Sequence, residues 1–63
     1  MANAILSLAP AVPGLMAEGA TFIASGIIDS RKDEVIAGLK KAGLSVVEVK
    51  EKRGWECIVC KKA

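Results

Sequence analysis

Two cysteines, Cys57 and Cys60, stand in the stretch WECIVC near the end of the chain. Their C-x-x-C spacing suits a redox pair or half of a zinc site. Redox pairs of this kind usually sit at a helix N-terminus, where the dipole lowers a thiol pKa. No helical pattern follows Cys57, and the chain ends shortly after Cys60. A structural zinc takes four ligands, yet the chain has no histidine and no further cysteine. Zinc shared between chains stays the alternative. In a strand, side chains three positions apart point to opposite faces. The pair is therefore read as buried, reduced strand residues, with Trp55, Cys57 and Val59 on one face and Glu56, Ile58 and Cys60 on the other.

The carboxylates Asp29, Asp33 and Glu34 cluster where a helix should begin, and helix capping explains them better than acid–base catalysis. Arg31, Lys32, Lys40 and Lys41 read as a solvated helix face. The "SGII" after the first strand lacks the G-x-G-x-x-G phosphate fingerprint and reads as a strand-ending turn. Trp55 reads as a cover for the edge of the core. Without histidine there is no Ser-His or Cys-His nucleophile pair. No catalytic, cofactor-binding or metal-ligating residue is assigned.

The elements that carry these residues follow from periodicity. Ile5, Leu8, Val12, Leu15 and Met16 recur at helical spacing, with Asn3 as a candidate cap. Pro10 and Pro13 imply a broken helix, ending near Glu18 with Gly19 as its stop. Thr21–Ser25 is a short apolar strand, and Gly26 marks where the chain leaves the sheet. Asp29 or Ser30 caps the clearest helix, with Asp33 in a weaker capping box. Val35, Ile36, Leu39 and Ala42 form its apolar stripe; Gly43 ends it and Leu44 packs back on it. Val46–Lys50 and Trp55–Cys60 form a hairpin around the polar turn EKRG. The order is α-β-α-β-β. The helix between the first two strands makes them parallel, through a right-handed crossover, and the last strand antiparallel to its neighbour.

Composition fits one small domain spanning residues 1–63. The chain has 63 residues, 52% of them hydrophobic, and a net charge of +2. A domain this short buries only about 60% of its unfolded surface, so its core is thin. One Phe, one Trp and no Tyr disfavour a nucleic-acid surface built on stacking aromatics, and +2 is a weak phosphate-binding footprint. No Lys or Arg precedes Arg31 and two prolines interrupt the first apolar run, which argues against a signal peptide. No stretch reaches the roughly 20 apolar residues of a membrane span. The expected location is the cytoplasm.

Several segments together resemble the C-terminal end of the catalytic domain of the ribosomal protein L11 methyltransferases. They are SLAP (Ser7 to Pro10), FIASGII (Phe22 to Ile28), DEVIAGLKKAG (Asp33 to Gly43), VVEV (Val46 to Val49) and GWECIVCKK (Gly54 to Lys62). The resemblance covers nearly the whole chain. "SGII" followed by a helix, with "GW" opening the last strand, is its most specific part. It implies a piece of a class I, Rossmann-like methyltransferase fold, with S-adenosylmethionine as the cofactor of the full-length family. The implied sheet has three strands in spatial order first-third-second. The last strand is antiparallel and central, and both helices lie on one face.

In that family the glycine-rich cofactor loop, the acidic ribose-binding residue and an asparagine motif lie upstream of the matching region. Asn3 falls too late to be that asparagine. No cofactor-binding or catalytic residue carries over, so the isolated chain is expected to bind no cofactor and to be inactive. The alternatives are a subunit completing a split methyltransferase in trans, and a small interaction module using an open sheet edge. An uncovered sheet face and the edge of Thr21–Ser25 imply a homodimer or a partner polypeptide. Neither nucleic acid nor membrane is expected as a partner.

Overall fold

The structure, a computed structural model, describes residues 2–62. It contains a broken helical segment, one longer helix and three strands, in the order the periodicity requires. The first segment is α1 (Ala2–Leu8), a 3-10 turn (Ala9–Ala11) and α2 (Val12–Leu15). Each proline sits in the opening turn of its short element, where its missing N–H leaves no helical bond unmade. The segment stops at Leu15, with Met16 already extended, earlier than the expected end near Glu18. Gly19 adopts φ 81° in the turn that follows. Asn3 lies inside α1, not ahead of it. Its Oδ1 accepts a 2.6 Å bond from Arg31 Nη1.

The break also changes which residues face inward. Ala2, Ile5, Ala9 and Val12 are buried, whereas Leu8 is exposed and Leu15 is 81% exposed. A 3-10 turn has about 3.0 residues per turn against 3.6 in an α-helix. The inward stripe is thereby shifted, and Ala9 takes the place expected of Leu8.

β1 spans Thr21–Ile28, longer than the Thr21–Ser25 read from the sequence. Gly26 does not end it. With φ 72° Gly26 joins Ser25 in a bulge between the pairs Ala24–Ile58 and Ile27–Glu56. Left-handed backbone is open to glycine at no steric cost, which is why bulges use it.

Asp29–Arg31 then forms a 3-10 turn leading into α3 (Lys32–Lys41). No side chain caps either start, so the expected caps at Asp29 or Ser30 are not used. Arg31 also departs from the expected solvated face. Its guanidinium donates to Glu34 through Nε (3.0 Å) and Nη2 (2.8 Å), while Nη1 reaches Asn3. The fork ties α1 to the start of α3 and holds the Glu34 carboxyl below its ordinary pKa. At the other end Gly43, φ 99°, donates to Lys40 O at 3.0 Å, and Leu44 is buried against the core. This stop matches the sequence reading.

β2 (Leu44–Lys52) and β3 (Trp55–Lys62) are joined by the two-residue turn Arg53-Gly54, both with positive φ. The sheet order is β1-β3-β2 with both pairings antiparallel, so the outer strands run parallel to each other. The last strand is central, as expected. Both helical layers cover one sheet face, and the core consists of Ile5, Val12, Ala24, Ile27, Val35, Leu39, Leu44, Ile58 and Cys60 with small neighbours. The layers approach closely where α1 meets α3. A Cβ on Gly38 would collide with Leu6 Cδ2.

Candidate functional site

β3 is central, so its alternation decides what each face carries. Ile58 and Cys60 are fully buried under the helices, while Cys57 and Val59 are half-buried and Trp55 is exposed on the other face. Cys60 lies opposite Phe22 and Val46, whereas Cys57 lies opposite Lys50. The sheet therefore separates the two thiols, and both are free. Cys60 fills the core, and burial pushes its thiol pKa up, away from the thiolate that redox chemistry needs. Cys57 departs from the expectation of full burial because no helix covers its face. Among the described residues no group of three or more His, Cys, Asp or Glu could hold a metal ion.

The uncovered face is the candidate site. Registry places Ile23 beside Val59, Ile28 beside Trp55, Lys50 beside Cys57 and Lys52 beside Trp55. Ile23, Ile28 and Trp55 are all exposed there. A hollow of about 340 Å³ opens where the Ser25–Gly26 bulge bends β1 beside Cys57, with Trp55, Lys50 and Lys52 along its sides. The bulge bends β1 beside the hollow, since Ser25 and Gly26 together face the single residue Cys57 of β3. Lysine stems can lie along apolar surface while the ammonium groups stay in water. Glu51 and Glu56 also line the hollow, so the apolar strip has a rim of mixed charge.

The sequence reading places Glu56 on the face of Ile58 and Cys60 by strand alternation but assigns it no role. It is only 2% exposed, in the same alternating set as Ile58 and Cys60. The signal was present, because the alternation places a carboxylate among core residues. Its pKa is raised, first by the side-chain hydrogen bond its protonated form can make with Asp29, then by burial. Lys32 pulls it down, and the charges of Asp29 and Glu51 push it further up. Asp29 and Glu56 are thus brought together, whereas Asp33 and Glu34 stay exposed on α3. Glu34 is engaged by Arg31. The three carboxylates read as one cluster do not converge.

The described residues form a two-layer α/β unit with helices on one sheet face only. Comparison with known proteins adds the family. The family model for ribosomal protein L11 methyltransferase (PrmA) matches residues 1–63. The chain is 39% identical over 62 residues to a ribosomal protein L11 methyltransferase of Agathobacter rectalis, covering 98% of this chain and 19% of that protein. It is 47% identical over 55 residues to the one of Desulfitobacterium hafniense, covering 87% of this chain and 18% of that protein. Against the one of Heliobacterium modesticaldum it is 38% identical over 63 residues, covering 100% of this chain and 20% of that protein. The chain belongs to the ribosomal protein L11 methyltransferase family. It spans about a fifth of the length of the curated relatives it matches. Among the described residues no helix is long and apolar enough to cross a membrane.

Proposed function

We propose that this chain is the closing part of the catalytic domain of an S-adenosylmethionine-dependent methyltransferase acting on ribosomal protein L11. By itself it does not transfer methyl groups. The observation that carries this reading is the bare sheet face of Ile23, Ile28, Trp55, Cys57 and Val59 in a chain spanning a fifth of its relatives. A contiguous exposed apolar face marks a surface that another polypeptide segment can cover. The remaining four-fifths of a family polypeptide is the natural cover and would bring the cofactor-binding groups. A cytoplasmic location follows from the ribosomal substrate.

The test mixes this chain with a relative's polypeptide from which the matching fifth has been deleted. S-adenosylmethionine binding by calorimetry and methyl transfer to ribosomal protein L11 are expected only in the mixture. Tight stoichiometric cofactor binding by the chain alone would overturn the reading.

A second reading rests on the outer edge of β1, which pairs with β3 on one side only. Its free backbone groups can add a strand from another chain, giving a homodimer or a small interaction module. Size-exclusion chromatography with light scattering at rising concentration decides it: a monomer throughout removes the dimer.

A further inference from the structure

Neither Glu56 carboxylate oxygen has a hydrogen-bond partner, although the residue is 2% exposed. A buried polar group without a partner loses its hydration for no return. β1 contributes Ile27 directly opposite, which carries no charge. The 3-10 turn contributes Asp29, α3 contributes Lys32, and β2 contributes Glu51 directly opposite. Glu51 is itself held by the hairpin, accepting from Gly54 N at 2.9 Å. Two carboxylates and one ammonium thus face a third carboxylate.

Two ionised carboxylates have no proton to share and repel. One added proton turns the pair into donor and acceptor. We propose that Glu56 is a proton-operated latch: protonated, it donates to the Asp29 carboxylate and fastens the start of β3 to the 3-10 turn. When it ionises, the proton passes to solvent, the bond is lost and the hairpin end loosens. The same junction carries one backbone tie, Asp29 N–H donating to Gly54 O at 2.8 Å.

The raised pKa of Glu56 sets the sign of the effect. Between the ordinary glutamate range and the raised value, the folded chain holds a proton that the unfolded chain has released. The latch's stabilisation is therefore complete below the ordinary range and is lost as pH rises through the folded value. Glu34 has a lowered pKa, so its contribution is present above the ordinary range and is lost as pH falls through its folded value. The two windows do not overlap.

The test follows unfolding of the 63-residue chain and of Glu56→Gln by denaturant from about pH 4 to about pH 8. Carboxyl NMR of the unmodified chain runs in parallel. The unfolding constant of the unmodified chain, relative to Glu56→Gln, is expected to rise about tenfold per pH unit within the window. Protection of the Asp29 amide against exchange should fall with it. Asp29→Asn should move the Glu56 inflection down, and Lys32→Gln should move it up. Parallel pH profiles for the two chains, or a Glu56 carboxyl titrating in the ordinary range, would overturn the latch. If Glu56→Gln does not fold, the NMR titration alone decides.

Discussion

At the scale of single residues, the two thiols of β3 differ more than their shared spacing suggests. Cys57 is half-buried on the bare face, while Cys60 is sealed under the helices with its pKa raised by burial. Alkylation of the native chain at mildly alkaline pH should therefore modify Cys57 alone, and both thiols should react in denaturant. Equal labelling of the two in the native state, read by peptide mass spectrometry, would contradict the face assignment. This division was legible in the sequence, because a strand's period of two leaves no freedom once the strand is assigned. Glu56 was legible by the same rule. Its meaning was not, because Asp29 approaches it only through tertiary packing, from a turn distant in sequence. The Arg31 fork was hidden for a similar reason, since Asn3 and Arg31 are brought together by the packing of α1 against α3.

At the scale of elements, the hairpin turn carries a local cost. Arg53 is the one non-glycine residue with positive φ among the described residues, at 53°. Left-handed backbone costs a side-chain-bearing residue roughly 1–2 kcal/mol, less for asparagine, and two-residue turns with both φ positive favour Asn-Gly. Arg53→Asn should stabilise the chain by about 0.5–1 kcal/mol, measured as a rise in denaturant midpoint with an unchanged slope. The glycines show how far element boundaries can be read. Gly43 was legible as a helix stop, because nothing but a turn fits a glycine after Lys40, Lys41 and Ala42 on a fading stripe. Gly26 was misread as an exit from the sheet. An isolated glycine in a strand pattern signals either an end or a bulge, and only the pairing of Ile27 and Ile28 with β3 separates them. The missing caps at Asp29 and Ser30 have a comparable cause. The 3-10 turn enters α3 through Arg31, whose side chain is engaged elsewhere.

At the scale of the whole molecule, the two sheet faces should respond oppositely to substitution. Ile58 is fully buried at the centre of the only sheet among the described residues. Ile58→Ala should cost about 2–5 kcal/mol, a large share of the stability of so small a domain. Ile23, exposed on the bare face, should tolerate Ile23→Ser within about 0.5 kcal/mol while raising solubility. Thermal unfolding of both variants checks the pair. A large loss from Ile23→Ser would mean that the bare face is already covered in solution.

The same bare face carries an optical consequence. Trp55 is the chain's only tryptophan, and no tyrosine competes with it. It stands 55% exposed, with Ile28 and Lys52 directly opposite. Its indole emission samples the face itself and nothing in the core. Covering the strip should shift that emission to the blue and shield it from a soluble quencher, whereas helix-side substitutions that leave the fold intact should not. The molecule thus carries an unlabelled gauge of whether its bare face is covered.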